Sequence, residues 1–427
     1  MLLLRGVVGI IGLLGIAWLL SSSRRRFPWK TVLVGLGLQW LLGLLVLRTG
    51  PGRAFFDGIG RLVTVVLHGA DQGASFVFGP LAGGQLGVPW QAIAGIKIMT
   101  TIIVVATLST MGYHYGILQR IVTAMAWVMR RAMGVSGAES LSCAANVFLG
   151  QTEAPLLVRP YISKMTRSEL MALMTGGFAT IAAGVMAVYI SMLGGNDPDQ
   201  LARVARHLLT ASLMSAPSAL MMAKIMVPER DTPLTSGAGP VVLQRETDNL
   251  VDAITRGASQ GMTLAINVIA MLLAFIALVA VLDVGLVALG NLSFIAPGIR
   301  WIGLQQLDLN GILGLLFSPV AWMLGVNGAD CRTFGGILGK AMATNEMVAY
   351  GSLTEIVRAG GMSERSIVMA IYSICGFANF SSIGIQIGGI GSMAPERRAD
   401  LVRLGPRAML GGAMASWCTG CIAGVLV

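Results

Sequence analysis

Two glutamates stand in strongly apolar surroundings, and their side chains are the best placed in this chain to do chemistry. Glu153 lies in Gly150-Gln151-Thr152-Glu153-Ala154-Pro155, and Glu346 in Thr344-Asn345-Glu346-Met347-Val348-Ala349-Tyr350. A carboxylate at membrane depth costs at least about 2.5–3.5 kcal/mol, so it faces a polar cavity or a partner. The chemistry it offers is recognition, because a carboxylate accepts charge-assisted hydrogen bonds from hydroxyls or holds a cation. Three polar side chains followed closely by proline make a poor helix interior and a good hairpin tip, and the lesser alternative is a tip at the water boundary. The alternative for Glu346 is a pair with Lys340, but a spacing of six residues is off the i, i+4 neighbour position, which favours substrate or ion contact.

Weaker candidates surround these two. Asn379 and Ser382 are three residues apart, so one helical face would present both. Phe377 offers a ring face to a planar solute, or simply packs. Asn146 and Thr180 carry uncharged oxygens that suit a sodium ion or an interhelical hydrogen bond. Asp283 lies late in an apolar run, Asp330 has Arg332 beside it, and Lys97 at the start of a run can snorkel to the interface. His68, His114 and His207 do not cluster, and no metal constellation or catalytic triad is visible, so the chain does not read as an enzyme. Trp417-Cys418-Thr419-Gly420-Cys421 lacks the βαβ context of a redox motif, and the five cysteines read as packing. Gly384, Gly388 and Gly389 follow no strand, which excludes a phosphate loop.

The elements that must position these residues are membrane helices. Hydrophobic residues make up 55% of the 427, charged residues 12%, and mean hydropathy is +0.76. A soluble domain carries about 25% charged residues. The net charge of +10 sits in short loops between apolar runs, which is positive-inside topology and not a nucleic-acid face. Gly6–Ser23 is followed by Arg24-Arg25-Arg26 and not by a cleavage site, so it reads as a retained first span. Further spans are expected at Thr31–Leu47, Ile96–Gly112, within Leu170–Asn196, at Leu208–Met226 and Met262–Leu289, within Ser366–Pro395, and at Ala408–Val427. Arg53–His68 and Ile117–Met133 read as interfacial helices, and Pro228–Arg245 as a loop. Val135–Tyr161 and Leu307–Leu353 are apolar but interrupted by polar residues, which fits re-entrant hairpins lining a cavity.

The basic clusters Arg24–Lys30, Arg120–Arg131, Arg159–Arg167, Lys224–Arg256 and Arg397–Arg407 would be cytoplasmic, and Asn196-Asp197-Pro198-Asp199 outside. The expected fold is therefore an all-α integral membrane protein with eight spans and two oppositely oriented hairpins. The two halves echo each other. Gly177-Phe178-Ala179-Thr180 and Gly376-Phe377-Ala378-Asn379 each follow a glutamate-bearing hairpin, by 25 residues from Glu153 to Phe178 and 31 from Glu346 to Phe377. Inverted repeats with broken helices point to a secondary transporter's binding site, because a broken helix exposes N–H and C=O groups that can bind a polar solute or an ion. The expected division is 1–115 scaffold, 116–227 first transport repeat, 228–300 linker and scaffold, and 301–427 second transport repeat.

At these residues the chain resembles the concentrative nucleoside transporter family. The resemblance rests on Gly150-Gln151-Thr152-Glu153-Ala154-Pro155, on Asn345-Glu346 with Val348-Ala349-Tyr350, and on Gly376-Phe377-Ala378-Asn379-Phe380-Ser381-Ser382, in that order, and runs from the third span to the end. It implies a homotrimer in the cell inner membrane that works in an elevator manner. It implies that Gln151, Thr152 and Glu153 meet a nucleobase, that Val185 lines its pocket, that Glu346, Asn379 and Ser382 hold the ribose, and that Phe377 packs beside the sugar. It implies a sodium site of the Asn146 and Thr180 side chains with the carbonyls of Leu149 and Ile181, and no cofactor. Met347 stands where many relatives have phenylalanine, Ala341 where their lysine lies, with Lys340 shifted by one, and Thr180 where some have serine. The implied function is cation-coupled nucleoside import, with sodium favoured over protons. A proton-coupled importer and a cotransporter for another small neutral polar solute are the alternatives. An anionic solute is disfavoured because the hairpin tips carry glutamates and not arginine.

Overall fold

In a bilayer each backbone N–H and C=O must be satisfied within the protein, so apolar runs of this length become helices. The computed structural model describes residues 2–82, 94–195, 197–236, 247–292, 295–301, 304 and 306–427, and among these it is all-helical, with no strands. The helices are α1 (Leu2–Leu19), α2 (Trp29–Arg48), α3 (Gly50–Phe78), α4 (Ala94–His114), α5 (Ile117–Met133), α6 (Gly137–Ala145) and α7 (Arg159–Ile162). They continue as α8 (Arg167–Ala179), α9 (Ala183–Gly194), α10 (Pro198–Met226), α11 (Leu250–Gly290), α12 (Ala296–Trp301) and α13 (Leu309–Met323). The last five are α14 (Cys331–Ala343), α15 (Glu346–Arg358), α16 (Glu364–Ser373), α17 (Phe380–Met393) and α18 (Arg398–Leu426).

The order of elements repeats. A long helix, a shorter helix of 15 to 17 residues, a hairpin, a broken helix and a helix of 29 residues occur as α4, α5, α6–α7, α8/α9 and α10. They occur again as α11, α13, α14–α15, α16/α17 and α18, again with 29 residues in the last. Burial separates the roles. Within the chain 94% of the apolar window in Arg167–Gly194 is buried, against 11% in Leu250–Gly290. The broken helix is therefore core, while α11 presents Leu273, Val281 and Val284 outward.

Several boundaries differ from expectation, each for a local reason. The first helix is Leu2–Leu19 and not Gly6–Ser23, because the Arg24 guanidinium donates to the Leu19 carbonyl at 2.9 and 3.1 Å and closes its end. The amphipathic α3 runs to Phe78, past the expected His68, because its buried stripe continues through Leu67, Ala70 and Ala74. The fifth span begins at Pro198, capped by Asp197, and the sixth at Leu250, where Asn249 Oδ1 accepts from Asp252 N–H at 2.9 Å. The eighth begins at Arg398, ten residues before the expected Ala408. The second interrupted region is three helices: α13 packs beside α14, and only α14 and α15 form the hairpin. The expected central loop is irregular over 228–236, with 237–245 outside the described residues, as is Asn196.

The first hairpin is anchored by a buried polar knot. Ser136 and Glu139 form a capping box at the start of α6, and Thr166 and Glu169 form another at the start of α8. Ser136 Oγ donates to Glu169 Oε1 at 2.6 Å, which ties the two helix starts together. Lys224 near the end of α10 reaches in, with Nζ 2.7 Å from Glu139 Oε2, 3.3 Å from Glu229 Oε2 and 2.9 Å from Ser168 Oγ. This knot holds α6, α8 and α10 in one register. Removing one partner of a buried ion pair leaves an uncompensated charge. Lys224→Met is expected to destabilise the detergent-solubilised protein by about 3–5 kcal/mol, with part recovered in Lys224→Met/Glu139→Gln. Thermal unfolding of the single and double variants checks this. Gly412 of α18 has no room for a side chain, since a Cβ there would lie 2.4 Å from Phe178 Cβ, whereas Gly15 faces open space. Gly412→Ala is expected to lower the unfolding temperature, by about 1–3 kcal/mol of overpacking, and Gly15→Ala to leave it within error.

Candidate solute-binding site

The site is built where the two broken helices cross. Helix α8 stops at Ala179, residues 180–182 are extended, and α9 resumes at Ala183. Helix α16 stops at Ser373, and α17 resumes at Phe380 after the irregular segment 374–379. A Cβ on Gly376 would lie 2.6 Å from the Phe178 carbonyl oxygen, so the repeated Gly-Phe-Ala segments touch backbone to backbone. Ser416 Oγ of α18 donates to the Ala179 carbonyl at 3.3 Å, which satisfies one of the groups freed by the break.

Glu346 is the first residue of α15 and is 7% exposed. Asn345 caps that helix, its Oδ1 accepting from Val348 N–H at 2.9 Å. Tyr189 of α9 donates its hydroxyl to Glu346 Oε1 at 2.9 Å, and Asn379 Nδ2 donates to Oε2 at 3.0 Å. Tyr189 is locked by stacking on Tyr350, with centroids 4.2 Å apart and planes 20° from parallel. Lys340 takes no part, because its Nζ donates to Ser352 Oγ at 2.9 Å. The carboxylate therefore sits at a junction of hairpin 2 with both broken helices.

Asn379 is a helix cap and does not share a helical face with Ser382 in the expected way. Its Oδ1 accepts from Ser382 N–H at 2.9 Å and Ser381 Oγ at 2.7 Å, which turns Nδ2 toward Glu346. Ser382 instead meets the first hairpin, where Gln151 Nε2 donates to Ser382 Oγ at 3.2 Å. Gln386 on the same helix donates to Gln151 Oε1 at 3.1 Å. Gln151, Ser382, Asn379 and Glu346 thus form one hydrogen-bonded chain from hairpin to hairpin, which passes through the Ser382 backbone N–H.

Glu153 stands apart from Glu346. It is exposed, its Oε2 accepts from Gly150 N–H at 3.1 Å, and it borders a cavity of about 150 Å³ lined also by Tyr113, Phe148, Leu149, Gln260 and Leu264. Thr152 is half-buried beside it, Val185 is buried on α9, and Phe377 is half-buried in the second helix break.

Asn146 ends α6, is fully buried, and leaves both Nδ2 and Oδ1 without a partner. Thr180 Oγ1 donates to the Gly176 carbonyl at 2.9 Å, which leaves its lone pairs free to accept. Ala183 N–H donates to the Phe148 carbonyl at 3.2 Å, so the unwound stretch holding Leu149 lies against the break holding Ile181. These are hard, uncharged oxygens of the kind a small monovalent cation takes. Among the described residues no group of three or more His, Cys, Asp or Glu is placed to hold a metal ion.

Other expected residues have structural partners. Asp330 accepts from Ser363 Oγ at 2.6 Å, Asp283 accepts from Leu309 N–H at 2.7 Å, and Lys97 lies 4.0 Å from Asp71. Gly384, Gly388 and Gly389 lie inside α17, and all five cysteines are buried thiols. Tyr189 and Gln386 are site residues that the sequence does not single out. Gln386 carried a signal, since a lone amide in an uncharged apolar span needs partners. Tyr189 carried none, because a tyrosine in a span is unremarkable until its hydroxyl is located.

Residues 207–424 match the family described as Na+ dependent nucleoside transporter C-terminus, residues 8–81 the corresponding N-terminus, and residues 95–196 a domain described as nucleoside recognition. The chain is 37% identical over 431 residues to an uncharacterized transporter of Haemophilus influenzae, covering 100% of this chain and 98% of that one. It is 38% identical over 436 residues to solute carrier family 28 member 3 of Mus musculus, covering 98% of this chain and 58% of the mouse protein. It thus spans less than two thirds of that relative's length. Among solved structures, CNTnw in an inward-facing substrate-bound state is similar with a TM-score of 0.88 and 34% identity, covering 100% of this chain and 98% of that one. A doubly substituted CNTnw in an outward-facing state gives 0.86 and 34%, with the same coverage. This chain belongs to the Na+-dependent nucleoside transporter family, whose members are transporters and not enzymes.

Proposed function

We propose that this protein imports nucleosides across the cell inner membrane by symport with sodium. The observation that carries the reading is Glu346, a buried carboxylate held between hairpin 2 and both broken helices. A carboxylate oriented by two donors keeps lone pairs for ribose hydroxyls, and a site built to bond hydroxyls rejects analogues that lack them. Asn379 and Ser382 complete the sugar contacts, with Phe377 beside the ring. Gln151, Thr152 and Glu153 read the base from hairpin 1, and Val185 lines its pocket. Sodium, as co-substrate, takes the Asn146 and Thr180 oxygens with the carbonyls of Leu149 and Ile181. The unpartnered buried amide of Asn146 supports sodium over protons, since an amide does not titrate.

Transport couples because ion and solute favour the same closed state, so each raises the affinity for the other. Segments 116–227 and 301–427 carry the site and move as an elevator against 1–115 and 228–300. The apolar outer face of α11 meets lipid or neighbouring copies in a homotrimer. The cavity beside Glu153 lies at the His114 end of α4 and the Arg256 end of α11, which charge assigns to the cytoplasm, so this conformation opens inward.

Counterflow of radiolabelled uridine in proteoliposomes tests the reading. Uptake in sodium that falls away in choline supports it. No uptake under any ion condition overturns it, and equal uptake in both salts overturns sodium coupling. Glu346→Gln is expected to weaken uridine affinity about tenfold or more and to narrow the discrimination against deoxyribonucleosides. Unchanged affinity sinks the ribose assignment. Asn146→Ala is expected to raise the sodium concentration for half-maximal uptake while an already saturating sodium concentration restores most of the rate. Sodium titration of uptake measures this.

A further inference from the structure

Gln386 is fully buried on α17, within the second broken helix. Its Nε2 donates to Gln151 Oε1 at 3.1 Å and to the Met174 carbonyl of α8 at 3.2 Å. The Met174 carbonyl can only accept, so it dictates which way the Gln386 amide faces; turned over, the amide would oppose oxygen to oxygen. The consequence passes along the chain of amides. Gln386 presents N–H to Gln151, so Gln151 must answer with its oxygen. Its Nε2 then points the other way, where one N–H reaches Ser382 Oγ at 3.2 Å. A carboxamide nitrogen has two N–H groups, so a second donor remains.

We propose that Gln386 is a specificity-determining positioning residue, which holds the amide oxygen of Gln151 and thereby fixes Gln151 as a hydrogen-bond donor toward the exocyclic group of the base. Gln386 touches no solute. It acts through Gln151, and the inference rests on the reading of Gln151 as a base contact. A fixed donor facing position 4 of a pyrimidine or position 6 of a purine favours a carbonyl there, as in uridine and inosine, over an amine there, as in cytidine and adenosine. The difference arises because an amine facing an N–H leaves two donors unpaired.

Two variants test this in proteoliposomes, by Vmax and KM for the four nucleosides and for 3′-deoxyuridine. Gln386→Leu frees the Gln151 amide to turn, so the uridine-to-cytidine and inosine-to-adenosine ratios of Vmax/KM should move toward one by about fivefold, the factor carried by one neutral hydrogen bond. In Gln386→Met the side chain keeps its length but neither donates nor accepts, so Gln151 is again free to turn and both ratios should again move toward one. This second variant stands if Gln386→Leu fails to accumulate. The penalty for 3′-deoxyuridine relative to uridine should move far less than the base ratios in both, because Glu346 of hairpin 2, which neither variant touches, still holds the sugar. Ratios equal to the wild type, or a uniform fall for all solutes as a merely structural role would give, overturn the proposal. Wild-type uptake with unmoved ratios overturns this inference alone, whereas absence of any wild-type uptake overturns the nucleoside reading with it.

Discussion

The contact on which the rest of the site depends is the crossing of two interrupted helices at backbone distance. A helix broken at membrane depth frees N–H and C=O groups that hydrocarbon cannot satisfy. Here the breaks after Ala179 and after Ser373 are placed against each other, with Gly376 opposite the Phe178 carbonyl and Gly412 of α18 closing against the Phe178 side chain. Side chains at either glycine would separate the two breaks. Their closeness is what allows a short side chain such as Asn379 to cap α17 and reach Glu346 together.

The hairpins are held across the repeat and not only within it. Glu346 belongs to the second repeat and is bound by Tyr189 from the first. Gln151 belongs to the first and is bound by Ser382 and Gln386 from the second. Each hairpin tip is therefore oriented by the other repeat's broken helix. Buried polar networks of this kind are costly when half-satisfied and rigid when complete, which suits groups that must be pre-oriented for a polar solute. The Lys224 knot does a different task. It fixes the base of hairpin 1 to α8 and α10, away from the tip, so the hairpin can present its tip from a firm root.

Helix existence was legible from hydropathy, because a bilayer leaves the backbone no alternative. Helix ends were less so. The starts of α10, α11 and α18 extend into polar sequence, where caps and ion pairs such as Arg256 with Asp252 at 2.9 Å prolong the helix beyond its apolar run. The capping boxes Ser136/Glu139 and Thr166/Glu169 are readable as short motifs, but that they meet and share Lys224 is not.

By itself the sequence determined the membrane class, the repeat, the two glutamates worth notice and, through its motifs, the family. These depend on composition and local order, which a linear chain carries in full. Only the tertiary structure decided that the two glutamates have different surroundings. Glu346 lies in a knot of donors, and Glu153 borders a cavity. It alone decided that Asn379 is a cap, and that Tyr189 and Gln386 orient the hairpins. The reason is sequence distance: Tyr189 and Glu346 are 157 residues apart, and Gln151 and Gln386 are 235, so nothing local records that they touch.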